Sequence, residues 1–136
     1  MFEDQPILIV EDNVYVALDL SSAVEERQGR VVGPAGSVSE ALRLIDNVHV
    51  AAAILDFHLP DGDASPVAAK LAGRGVPFVI HTECGLPAAF AELHGDVPVL
   101  QKPVDPHSVL TTLHGQILGN SAEKLHPRLG DRPKQV

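Results

Sequence analysis

The sequence predicts an α/β fold, a doubly wound parallel sheet with helices on both faces, and three observations carry that prediction. Short apolar runs rich in β-branched residues recur five times along the 136 residues. Each run is followed by a segment whose apolar residues return at helical spacing. The breaks between them hold Gly, Pro, Asn, Asp and Ser. Five such alternations in one domain's length imply parallel strands joined by right-handed helical crossovers.

Pro6-Ile7-Leu8-Ile9-Val10 is continuous rather than alternating, the pattern of a strand buried on both faces. Beyond Glu11-Asp12-Asn13 the spacing changes: Val16, Ala17, Leu20, Ala23 and Val24 recur at helical intervals after an asparagine suited to cap the first turn. Gly29 is expected to close that helix. Residues 30–33 read as the second strand, and Ser37-Val38-Ser39-Glu40 has the capping-box form ahead of Ala41, Leu42, Leu44 and Ile45. The third unit is a strand over 51–55 with a weaker helix over 66–72. The fourth is a strand over 78–81 with a helix near 87–93, and the fifth a strand over 97–100 with a helix over 105–118. Pro106 suits the first turn of that last helix, where its missing N–H has no intrahelical partner to lose. Residues 119–136 carry Gly119, Pro127, Gly130 and Pro133 and little periodicity, so the domain is expected to span 1–118 and the remainder to form a tail that can be helical at its start.

With 45% hydrophobic residues, 4% aromatic and no Trp, the core must be built from Val, Leu, Ile and Ala. A net charge of −8 argues against a nucleic-acid partner, because phosphate backbones are held chiefly by Lys and Arg. The excess is uneven: residues 1–120 hold six basic against 16 acidic residues, and residues 121–136 hold four against two. A single Cys excludes an intramolecular disulfide. No apolar run is long enough to span a bilayer or act as a secretory leader, so the expected setting is a reducing cytoplasm with no membrane partner.

In open α/β sheets, ligands bind beyond the carboxyl ends of the strands, where strand order reverses. The residues that end the strands are therefore the candidates: Glu11 and Asp12 after the first, Asp56 after the third, Thr82 after the fourth and Lys102 after the fifth. Carboxylates gathered this closely repel one another unless a cation joins them, and hard oxygen ligands suit Mg2+, which keeps several of its waters. An aspartate beside a divalent cation and an ammonium is equipped to attack phosphorus, with a hydroxyl at hand to donate to a phosphoryl oxygen. No glycine-rich phosphate loop follows the first strand, which argues against a bound nucleotide.

This ordered set resembles the receiver domain of two-component response regulators over the first 118 residues. The resemblance implies a flavodoxin-like five-stranded sheet of order 2-1-3-4-5, with Asp56 as phosphoacceptor and Thr82 and Lys102 as its catalytic partners. It implies Mg2+ as cofactor, bound by Asp12, Asp56 and the backbone carbonyl of His58, with Glu11 reaching the ion through water. The phosphoryl donor would be a phosphohistidine on a bacterial sensor histidine kinase or a histidine phosphotransfer protein. The output surface would be the face of the fourth helix, fifth strand and fifth helix, with a homodimer left open.

Three residues depart from or tune that pattern. Most receivers carry an aromatic residue three positions before the strand-five Lys, and this chain has Val99, which has no comparable rotamer swing. The residue after Thr82 is usually small and is here Glu83, expected to slow phosphoryl transfer or alter hydrolysis. His58, two residues past Asp56, stands where receivers tune the lifetime of the acyl phosphate.

The expectation is a stand-alone signalling receiver, catalytic only in accepting and slowly hydrolysing its own phosphoryl group. Its first rival, prompted by Val99 and Glu83, is a pseudo-receiver that binds partners without phosphorylation. A small phosphatase with an aspartate nucleophile is disfavoured. Such enzymes usually want a second acid two residues after the nucleophile, where this chain has His58.

Overall fold

All five residues of β1 (Pro6–Val10) are buried, as an unbroken apolar run requires. The computed structural model, which describes residues 1–125 and the side chains of 1–120, sets this strand inside a five-stranded parallel sheet. Its other members are β2 (Arg30–Ala35), β3 (Ala52–Leu55), β4 (Phe78–Thr82) and β5 (Val99–Gln101). The order is β2-β1-β3-β4-β5, as expected. Winding reverses between β1 and β3, the switch point at which doubly wound sheets open a crevice.

The alternation of side chains along the strands divides the core in two. Ile7, Ile9, Ile54 and Val79 pack with Leu20 and Val24 of α1 (Val14–Glu26) and with Leu110 and Leu113 of α5 (Pro106–Leu125). Leu8, Val10, Leu55 and Ile80 pack on the opposite face. Their partners there include Ile45 of α2 (Val38–Asn47), Leu71 of α3 (Ser65–Gly73) and Phe90 of α4 (Ala88–Leu93). Among the described residues no helix is long and apolar enough to cross a membrane.

Boundaries move where backbone chemistry overrides hydrophobic pattern. β5 starts at Val99 rather than at 97, because Pro98 has no N–H to give to a ladder. β2 continues to Ala35 through a register shift opposite Leu8 and Val10, at Gly33, whose φ of 94° no larger residue adopts easily and where a Cβ would stand 2.7 Å from Ala35 N. Gly29 does not close α1 by a left-handed turn. Gln28 takes that conformation (φ 64°), and Gly29 is needed for space, since a Cβ there would lie 2.6 Å from Val24 Cγ1. α5 passes Leu118 unbroken and reaches Leu125. From residue 126 on, the expected tail lies outside the described residues.

The caps are the expected ones with one addition. Asn13 Oδ1 accepts from Tyr15 N and Val16 N at 3.0 and 3.2 Å, and Ser37 Oγ from Glu40 N at 3.2 Å. The Glu40 carboxylate returns to Gly36 N at 3.0 Å rather than to Ser37 N. The two remaining N–H groups of the first turn, Val38 and Ser39, donate to Asp61 at 2.8 and 3.1 Å. Asp61 comes from the turn between two short paired strands, His58–Leu59 and Gly62–Asp63, and fastens the loop after β3 onto α2. Those hydrogen bonds hold its carboxyl below the ordinary value of 3.8. A depressed folded-state value means stability that is present above pH 3.8 and lost as pH falls through the folded value. Asp61→Ala is therefore expected to lower the thermal midpoint at neutral pH, with the gap from wild type narrowing below pH 3.8. Equal midpoints at pH 7 would exclude a capping role.

His107 and His114, whose spacing suggests one solvated face of the last helix, both turn toward the α1 side. Arg27 Nη2 donates to His107 Nδ1 at 2.8 Å, and His114 stands edge-on to the buried Phe2 ring.

Candidate functional site

Register assembles the site. Val10 pairs with Leu55 and Leu55 with Ile80, so the next residues along, Glu11, Asp56 and His81, form a row across the top of the sheet. Each lies two positions past a residue that packs toward α1 and α5, so all three side chains point to that face. The ladder continues past the strand ends and fixes the backbone there: Asp56 N donates to Val10 O and Glu11 N to Ala35 O, both at 2.8 Å. Lys102 N donates to Thr82 O at 2.7 Å, and the Lys102–Pro103 bond is cis. Lys102, two past Leu100, enters on the same face.

Its ammonium lies 2.8 Å from Glu11 Oε1 and 3.3 Å from Asp56 Oδ2. The Glu11 side chain is 2% exposed, that of Asp56 9% and that of Lys102 11%, so the three charges sit largely out of water. Burial pushes the Glu11 pKa up, with the Asp56 carboxylate adding to it, while hydrogen bonds from Lys102 and Asn13 N oppose the rise. Burial works against the Lys102 charge, but the Glu11 and Asp56 carboxylates outweigh it and raise that pKa above the ordinary lysine value. The lysine is firmly an ammonium.

Asp12 stands exposed at the mouth, and carboxylate oxygens of Glu11, Asp12 and Asp56 come within 4.8 Å of one another. Three carboxylates around one ammonium leave two negative charges over. Hard oxygen donors, an excess of two charges and one solvent-facing acid fit a hydrated divalent cation of the Mg2+ kind.

A cleft of about 230 Å3 has Asp12, Asp56, His58, Thr82, Glu83 and Lys102 in its walls. Thr82 is fully buried, and its Oγ has no hydrogen-bond partner among the described residues. Glu83 is exposed at the rim, its carbonyl accepting from Gln101 Nε2 at 3.4 Å. The His58 ring packs edge-on against Phe57, their centroids 5.1 Å apart. Val99 lies on the edge strand, 47% exposed and away from the cleft. The structure thus gathers Glu11, Asp12, Asp56, Thr82, Glu83, His58 and Lys102, and leaves Val99 outside. Two residues take roles that their sequence context does not suggest. Asp61 caps a helix distant in the chain, and His81 completes the row beside Asp56. The available signal for His81 was one polar side chain ending the apolar run of Phe78-Val79-Ile80.

Solved structures share this architecture. A response regulator receiver domain protein (CheY-like) from Methanospirillum hungatei JF-1 matches with a TM-score of 0.79 at 23% identity, over 88% of this chain and 98% of its own. SdrG from Sphingomonas melonis Fr1 is 33% identical over 87% of this chain and 99% of its own, with a TM-score of 0.72. The non-phosphorylated receiver domain of HemR from Leptospira biflexa is 26% identical, over 83% and 94%, with a TM-score of 0.71. No protein-family model and no curated protein matches the chain.

Proposed function

The chain belongs to the response regulator receiver domains, and from that premise we propose that it accepts a phosphoryl group on Asp56 from a phosphohistidine of a sensor kinase or phosphotransfer protein. Receiver domains are signalling modules, and the product here is a phosphorylation-dependent surface. The observation that carries this reading is the Asp56 carboxylate beside the Lys102 ammonium at 3.3 Å, at the end of β3 and in the mouth of a cleft.

In the transfer, a carboxylate oxygen of Asp56 attacks phosphorus. The new P–O bond forms as the P–N bond to the donor imidazole breaks, and the electron pair leaves on that nitrogen, which takes a proton from water. Lys102 neutralises charge on the phosphoryl oxygens, and Thr82, with no partner to give up, is free to donate its hydroxyl to one of them. Glu11, Asp12, Asp56 and the His58 carbonyl would hold Mg2+, which when bound supplies further charge neutralisation. The acyl phosphate carries about 1.5 to 2 negative charges where the carboxylate carried one, and its oxygens draw Lys102 and Thr82 toward position 56. With a valine at position 99 and no ring to swing, the response runs through the loops after β4 and β5 toward the α4, β5 and α5 face.

The test is direct. Incubated with acetyl phosphate and Mg2+, the protein is expected to give a retarded species on a phosphate-affinity gel, and none with EDTA. An unretarded band in both would favour the second reading, an interaction module that works without phosphorylation.

Of the two departures that prompt that second reading, Glu83 is the one in the walls of the cleft that an anionic donor must enter. As a brake rather than a block, it costs on the order of 1 kcal/mol, so Glu83→Ala is expected to speed acceptance from acetyl phosphate about threefold to tenfold. Unchanged rates of acceptance and hydrolysis would leave Glu83 without a kinetic role.

A further inference from the structure

Three of the chain's four phenylalanines, Phe57, Phe78 and Phe90, lie on the side of the sheet that α4 covers, among aliphatic side chains. With two histidines they form one row of rings. It begins in the wall of the phosphoacceptor cleft with His58, edge-on to Phe57 at 5.1 Å. Phe57 stands edge-on to Phe90 at 4.9 Å, Phe90 lies 4.6 Å from His94, and the row ends at Phe78, 6.0 Å from His94. Phe57 follows Asp56 directly, but the two side chains leave the strand end on opposite faces, the carboxylate toward Lys102 and the ring toward α4.

α4 depends on this row. Of its six residues only Phe90 is buried, and no side chain caps its first turn. A helix this short is stabilised by packing rather than by its own hydrogen bonds, so its position is set by where Phe90 sits. A close-packed core leaves little free space around its rings, so Phe90 cannot keep its place if Phe57 turns. Bulk and charge added to Asp56 press on the peptide that it shares with Phe57. The strand-five position, Val99, is exposed and carries no ring, and so provides no competing route. We propose that the Phe57–Phe90 contact couples the phosphoacceptor to α4: a phosphoryl group on Asp56 turns Phe57, and Phe57 carries the helix with it. This coupling rests on Asp56 as the phosphoacceptor and concerns how the signal leaves that residue.

The 15N-labelled protein is titrated with fluoroberyllate and Mg2+, fluoroberyllate being a stable tetrahedral stand-in for a phosphoryl group on an aspartate oxygen. In the wild type, saturation is expected to shift the amides of Phe57, Thr82 and Lys102 and, with them, those of residues 88–94. Phe57→Leu keeps an apolar side chain and removes the ring contact. Its shifts at Thr82 and Lys102 are expected to persist at saturation, while those at 88–94 shrink at least about twofold. A merely structural role for the ring would lower the thermal midpoint and leave that ratio unchanged. Phe90→Leu breaks the same contact from the helix, is expected to shrink the α4 response likewise, and serves if Phe57→Leu fails to fold. Wild-type protein with no shift at Phe57, Thr82 and Lys102 would overturn the phosphoacceptor reading and the coupling together. Shifts there with residues 88–94 unmoved, or an α4 response of full size in either folded variant, would overturn the coupling and leave that reading intact.

Discussion

Asp56→Asn is expected to abolish phosphoryl acceptance and at the same time to raise the thermal midpoint in metal-free buffer. The first effect follows from chemistry, since an amide of the same shape cannot form an acyl phosphate. The second follows from the charge count. Asp56 is nearly buried beside Glu11 and Asp12, and the one ammonium in contact with these acids is shared between Glu11 and Asp56. Neutralising one acid leaves Lys102 its 2.8 Å contact with Glu11 and removes a like-charge repulsion, a gain on the order of 1 kcal/mol. Added Mg2+ is expected to stabilise the variant less than it stabilises the wild type, because one ligand oxygen has lost its charge. Thermal melts of both proteins in EDTA and in MgCl2 read all of this. A lower midpoint for Asp56→Asn in EDTA would mean that the carboxylate serves the fold rather than the chemistry.

Lys102→Ala is expected to move stability the other way. Removing the ammonium leaves Glu11 and Asp56 buried without a counter-charge, a loss of about 2–3 kcal/mol in EDTA. A divalent cation supplies the missing positive charge, so Mg2+ is expected to recover part of that loss and to raise the variant's midpoint by more than it raises the wild type's. Acceptance from acetyl phosphate is expected to fall on the order of 10²-fold to 10³-fold, because the group that meets the phosphoryl oxygens is gone. A variant more stable than wild type in EDTA would contradict the charge count, and an undiminished rate would contradict the role of Lys102 in transfer. The two variants thus share a kinetic direction and oppose each other in stability. A general packing defect cannot mimic that pattern.

The strands were legible in the sequence because β1 and β3 are buried on both faces, and such burial leaves unbroken runs such as Pro6–Val10. The strand-terminal acids, Thr82 and Lys102 were legible because position relative to a strand end is itself a sequence property. What stayed hidden depends on pairings between segments far apart in the chain. Asp61 looks like a turn former until the loop after β3 brings it to Val38 and Ser39. His81 looks like the last residue of a strand until register sets it in line with Asp56. Gly29 looks like a helix stop until Val24 and Phe2 are packed against it. α5 runs on through Gly119 into the start of the tail, which its sequence leaves open to helix, although a glycine there weakens the pattern.

The phosphoryl group is expected on Asp56. Reductive trapping tests it most directly: the protein is treated with acetyl phosphate and Mg2+, reduced with borohydride, digested and sequenced by mass spectrometry. Borohydride converts an aspartyl phosphate to homoserine with loss of phosphate, so homoserine is expected at position 56 and unmodified aspartate at Asp12, Asp61 and Asp63. Homoserine at another of these positions, or full retention of aspartate at 56 in protein shown by gel retardation to be phosphorylated, would contradict it.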